Sequence, residues 1–155
     1  MIRSTAALLA FSLFLALPPG VEARGGYCVV VSRATNELVD WKPVVKTLVA
    51  KHDAEVIVYG DAVTESLEEL RRQFPRHTCF VATPKEATGK FVAEVHRLTR
   101  QLDTDPYTDT LWGILTGYDA KNALAIAHHQ TPLTVRKVAS GTELALECCV
   151  EGLWY

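Results

Sequence analysis

The chain has 155 residues, 48% of them apolar and 22% charged, which suits one ordinary folded domain and excludes both a disordered polar chain and a membrane bundle. Its formal net charge of −2, with no block of like charge, excludes the basic surface that nucleic-acid binding needs.

Residues 1–23 read as an export signal. Arg3 forms the positive n-region and Ala6 to Leu17 the apolar h-region; Pro18, Pro19 and Gly20 break the helix, and Val21-Glu22-Ala23 offers a cleavage point after Ala23. The apolar run of about a dozen residues is short of the roughly 20 that span a bilayer. The mature chain, residues 24–155, is therefore expected to be exported to a periplasmic or extracellular compartment as a single domain, with no membrane attachment after cleavage.

Tyr27 to Ser32 is a short apolar run that predicts a buried first strand. Asp40 stands where a helix N-cap is expected, Pro43 falls in the first turn, and Trp41, Val44, Val45, Leu48 and Val49 repeat at helical spacing. Glu55 to Tyr59 predicts a second strand. Val63, Leu67, Leu70 and Phe74 then mark a helix face, with Glu65, Glu68 and Glu69 early and Arg71 and Arg72 late, and Pro75 stops it. Thr78 to Ala82 predicts a third strand, followed by a helix with inner face Phe91, Val95, Leu98 and Leu102. Leu111 to Leu115 predicts a fourth strand, and Asp119 the cap of a helix from Ala120 to His128.

Beyond Pro132, Leu133 to Val138 alternates as an edge strand does, with Arg136 and Lys137 guarding the edge. Glu143 to Val150 fits a strand with Leu144, Leu146, Cys148 and Val150 on one face, or a helix from near Thr142 to Gly152; the helix is preferred. Strand-helix alternation with right-handed crossovers predicts an α/β three-layer sandwich with a mostly parallel, doubly wound sheet and its ligand loops at the C-terminal strand edge.

Those loops hold Ser32-Arg33, Gly60-Asp61, Thr83-Pro84 and Thr116 to Asp119, with neither G-x-G-x-x-G nor G-x-x-x-x-G-K-[ST], so no nucleotide cofactor is expected. Asp103, Asp105 and Asp109 gather oxygen ligands of the kind calcium prefers, without the turn glycine and closing glutamate of an EF-hand; a solvated Asp-Pro turn is the competing and favoured reading. His52, His128 and His129 fall near helix C-termini, where capping is the default role, and His96 on an outer helix face. The histidines lack zinc-site spacing. Cys28 and Cys79 read as small buried hydrophobes, bridged only if strands one and three are neighbours. The adjacent Cys148 and Cys149 leave three readings: a nucleophile, a vicinal disulfide, or a pair without chemistry. Their neighbours Glu147 and Glu151 raise rather than lower a thiol pKa.

The segment D-P-Y-T-D-T-L-W-G-I-L-T-G-Y-D-A-K-N-A-L-A-I-A, about a sixth of the chain, resembles gingipain-type cysteine peptidases, in which an acidic Asp/Tyr loop precedes a strand, a glycine and an Ala-rich helix. The matching residues are Asp105, Tyr107, Asp109, Gly113, Ala120, Ala123, Leu124 and Ala127; Ile114 stands where that family commonly has arginine. The resemblance implies the α/β fold gingipains share with caspases, with a catalytic His-Gly and a nucleophilic cysteine downstream of this segment. The chain has no His-Gly, and no residue takes either catalytic role. The expectation is the N-terminal part of a longer peptidase-like protein, inactive by itself, which the terminal Gly152-Leu153-Trp154-Tyr155 also suggests. The alternative is a complete non-enzymatic secreted module that binds a protein or peptide partner through its strand-edge loops.

Overall fold

The computed structural model describes residues 26–131, 136–140 and 150–154. The export signal, residues 133–135 of the expected edge strand, most of the ambiguous tail, and Cys148 and Cys149 lie outside them. Four parallel strands form the main sheet: β1 (Tyr27–Ser32), β2 (Glu55–Tyr59), β3 (His77–Val81) and β4 (Leu111–Leu115), in the spatial order β2-β1-β3-β4. β1 and β3 lie in the middle and carry the most buried side chains. β1 buries every residue after Tyr27, which is why its apolar run does not alternate.

The helices cover both faces. α1 (Arg33–Glu37) follows β1 directly, α2 (Lys42–His52) leads to β2, α3 (Leu67–Gln73) to β3 and α4 (Gly89–Leu98) to β4, and α5 (Ala120–His128) follows β4. On one face Cys28, Val30, Ile57, Tyr59 and Phe80 pack against Leu70 of α3 and Phe91, Val95 and Leu98 of α4. On the other, Val29, Val31, Cys79 and Val81 pack against Trp41, Val44, Val45 and Leu48 of the α2 region and Ala123 and Ala127 of α5. The result is the expected α/β three-layer sandwich. The crossovers all share one hand: the chain steps from β1 to β2 over one face, then reverses and steps to β3 and β4 over the other.

Several local expectations change. Asp40 is not the cap of α2: Trp41 occupies that position, without a side-chain cap bond, and Pro43 sits in the first turn. The start of α2 is set by burial of the Trp41 indole, only 6% exposed, rather than by a capping carboxylate. The short α1 was not foreseen; Ser32 ends β1 and caps this helix by accepting from the Thr35 amide at 3.0 Å. The third strand starts one residue earlier than expected. The helix expected from Val63 divides into a 3₁₀ turn, Val63–Ser66, and α3. α4 stops at Leu98, and a turn returns Leu102 to the same core.

The segment near Lys137 does not extend the main sheet. β5 (Lys137–Ser140) pairs in parallel with β6 (Glu151–Trp154) as a separate two-stranded sheet, with Lys137 opposite Glu151 and their charged groups 2.8 Å apart. An exposed pair of this kind contributes about 0.2–1 kcal/mol, so backbone pairing carries most of the register. No described helix is long and apolar enough to cross a membrane.

Candidate functional site

In a doubly wound sheet, ligands are expected in the crevice where the chain reverses direction, here between the C-terminal ends of β1 and β3. Glu86, in the loop after β3, fills that position. Its carboxylate accepts from the Ser32 hydroxyl at 2.5 Å, the Thr35 hydroxyl at 2.5 Å, and the Thr83 amide and hydroxyl at 2.8 and 2.9 Å. Burial pushes the Glu86 carboxyl up, but these bonds together outweigh it and hold the group below its ordinary range. Ser32 and Thr35 are buried. Ser32 is therefore enclosed and already donates its proton to a carboxylate, which leaves it no access to a substrate.

The other strand-end loops are occupied in the same manner. After β2, the amides of Gly60, Asp61 and Ala62 all donate to the Glu65 carboxylate at 2.8, 3.1 and 3.0 Å, and these bonds lower its pKa. Such a nest of amides elsewhere holds a bound anion. After β4, Asp119 caps α5 by accepting from Asn122 N–H at 2.8 Å, and Asn122 Oδ1 accepts from the Tyr118 amide at 3.3 Å. Thr116 Oγ1, also after β4, is the one buried side-chain polar atom among the described residues with no partner. The chain's own side chains thus fill the donor positions that a phosphate would use.

The sequence named Ser32 and Thr83 as edge residues but missed Thr35 and Glu86. A local signal existed: Thr83-Pro84-Lys85-Glu86 has the Ser/Thr-x-x-Glu form of a capping box.

The histidines lie elsewhere. Helices in this fold run against the strands, so helix C-termini sit at the N-terminal strand edge. His52 and His128 close α2 and α5, His129 follows α5, His96 is in the last turn of α4, and His77 opens β3. All five are at or toward the edge opposite the switch-point crevice. His52 stacks flat on Tyr27, with ring centroids 4.1 Å apart, and His77 stacks at 6.0 Å. Burial, with Lys51 and His77 nearby, lowers the His52 pKa.

Cys28 and Cys79 are free and buried. Their strands are neighbours, which met the condition for a bridge, but β1 residue Val29 lies opposite Cys79 and Cys28 opposite Thr78. The one-residue offset turns the two thiols to opposite faces. Burial raises each thiol to about 11, the reverse of what a nucleophile requires.

Asp103, Asp105 and Asp109 do converge: one oxygen from each lies within 4.8 Å of the others. Their loop joins α4 to β4, at the edge opposite the crevice. Each carboxylate also braces the loop: Asp103 accepts from the Asp105 amide at 2.8 Å, Asp105 from Tyr107 at 2.7 Å, and Asp109 from Leu102 at 2.8 Å. Burial raises the Asp109 pKa; the Leu102 amide opposes that, and the charges of Asp103 and Asp105 add to it. One further oxygen per carboxylate is half or less of the six to eight that calcium takes. Loop bracing is the role these contacts account for.

No protein-family model, curated protein or solved structure matches the chain.

Proposed function

We propose that the chain is the N-terminal α/β portion of an exported gingipain- or caspase-like cysteine peptidase fold, and that it has no catalytic dyad of its own. The observation that carries the second half is the distribution of reactive groups. Every histidine sits toward the N-terminal strand edge, both described cysteines are buried with raised pKa, and the C-terminal edge is closed by Glu86 and Glu65. A cysteine peptidase needs a thiolate and a base within hydrogen-bond reach, and no such pair forms among the described residues. The first half rests on the Asp/Tyr loop, strand and Ala-rich helix of the resemblance, together with a parallel α/β sheet of the class it implies.

The test is direct. Residues 24–155, purified, are expected to leave arginine and lysine peptide substrates uncut. Cleavage that Cys148→Ala abolishes would overturn the proposal. Reading the gene beyond codon 155 separates it from a complete partner-binding module: a frame that continues through a strand, His-Gly and a strand ending in cysteine supports the peptidase reading, and a stop codon the module.

A further inference from the structure

The contacts of Glu86 divide into a fixed half and a movable half. Ser32 and Thr35 are the fixed half: they lie at the end of β1 and in α1, and are only 4% and 1% exposed. Ser32 Oγ accepts from the Thr35 amide, so its position is set without Glu86 and its own proton is left for the crevice. The two hydroxyls then donate to different oxygens, Ser32 to Oε1 and Thr35 to Oε2, both at 2.5 Å, in the short range of charge-assisted bonds. Together they form a fork that fits the two oxygens of a planar carboxylate. Among the described residues no lysine or arginine bonds to that carboxylate, so the site offers neutral donors, which suits a monoanion better than a phosphate dianion.

The movable half is a strap, residues 83–87, between the end of the sheet, where Ala82 bonds to Leu115, and Thr88, the cap of α4. It is a self-contained turn. The amides of Glu86 and Ala87 both donate to Thr83 O at 3.0 Å, and the Thr83 amide donates to the Glu86 carboxylate. Ala87 rests on the core, Pro84 and Lys85 are exposed, and Glu86 is half-buried. Among the described residues, the bonds from Ser32 and Thr35 are the hydrogen bonds that join this turn to another loop.

We infer that Ser32 and Thr35 form a binding site for the carboxylate of a small ligand, and that the strap closes this site with its own Glu86. The site stands at the switch point, where a doubly wound sheet receives ligands, and its present occupant comes from a loop rather than from the sheet. Exchanging one carboxylate for another leaves neither buried hydroxyl unsatisfied, whereas opening without a ligand strands both. A carboxylate tethered so closely competes at an effective concentration on the order of millimolar or more. The closed form therefore prevails until a ligand adds contacts beyond its carboxylate. This site is independent of the peptidase reading.

Glu86→Ala vacates the site, and acetate has the shape of the piece that the substitution removes. In urea unfolding of residues 24–155 at pH 7, acetate is expected to shift the unfolding equilibrium of Glu86→Ala toward the native state along a saturating curve, about elevenfold at ten times its dissociation constant. Chloride and sulfate at equal ionic strength should not, and the wild type, whose site is filled, should respond to acetate as it does to chloride. Thr35→Val in the Glu86→Ala background removes one arm of the fork and should abolish the effect. In the wild type without added ligand, hydrogen exchange should show the Thr83 amide opening at least about tenfold more often than the β1 and β3 amides, because the strap moves without global unfolding. An acetate response no greater than that to chloride, one that survives Thr35→Val, or Thr83 exchange only through global unfolding would overturn the proposal. If Glu86→Ala is unfolded in plain buffer, recovery of its far-ultraviolet circular dichroism by acetate reads the same binding, and a chain that stays unfolded at every acetate concentration overturns it.

Discussion

The Glu86 carboxylate accepts hydrogen bonds from two loops that are about 50 residues apart in sequence, and this makes it the residue to change first. Glu86→Ala leaves the buried Ser32 and Thr35 hydroxyls and the Thr83 amide without their acceptor. At about 1–3 kcal/mol for each unsatisfied buried group, partly relieved by water, we expect a loss of about 3 kcal/mol in urea unfolding. Glu86→Gln keeps one acceptor oxygen and should lose about half as much. The pH dependence has a definite sign. The folded pKa of Glu86 lies below the ordinary 4.5, so its contribution is fully present above that value and is lost as pH falls through the folded pKa. The acid limb of the stability profile should therefore flatten in Glu86→Gln. The Thr83-x-x-Glu86 bond was legible from spacing alone, but the bonds to Ser32 and Thr35 were not, because they exist only once β1 and β3 are neighbours.

Among the elements, the caps divide by whether a local bond or long-range burial decides the helix start. Asp119 caps α5 as its sequence position suggested, and Thr88 caps α4 by accepting from Phe91 N–H at 3.3 Å. Asp119→Ala should lower stability by about 1 kcal/mol, while Asp119→Asn should stay within a few tenths; chemical denaturation of both variants checks this. Asp40 has the right residue type for a cap, yet α2 starts beyond it. A capping bond contributes about 1 kcal/mol, less than the roughly 2 kcal/mol from burying a large apolar side chain such as Trp41, so burial prevails. The division of the Val63 helix has a similar origin: Ser66 donates to Val63 O at 2.6 Å, and Val63 and Leu70 are both fully buried.

For the whole molecule, the strand order decides what the cysteines and histidines can do. Cys28 and Cys79 lie on the two inner faces of the sheet, enclosed and protonated at neutral pH. Their alkylation by iodoacetamide at pH 8, followed peptide by peptide in a urea series, should track global unfolding. Labelling of either in the native state would mean local opening of β1 or β3. Strand-helix alternation, apolar runs and most element boundaries were readable from the sequence, since period and capping are local properties. So was the α/β sandwich, because right-handed crossovers leave few ways to wind it.

What the sequence by itself determined was therefore the kind and order of the elements, the buried faces of the helices, and the absence of a phosphate motif. The tertiary structure alone decided which residues meet across them. It set β1 beside β3 with a one-residue offset that separates two thiols, and it brought Glu86 to Ser32 and Thr35. It sent every histidine toward the edge away from the crevice, and among the described residues it put no strand on the outer side of LWGIL. Each of these depends on register or on strand order, which are fixed by packing between segments distant in the chain and leave no local trace.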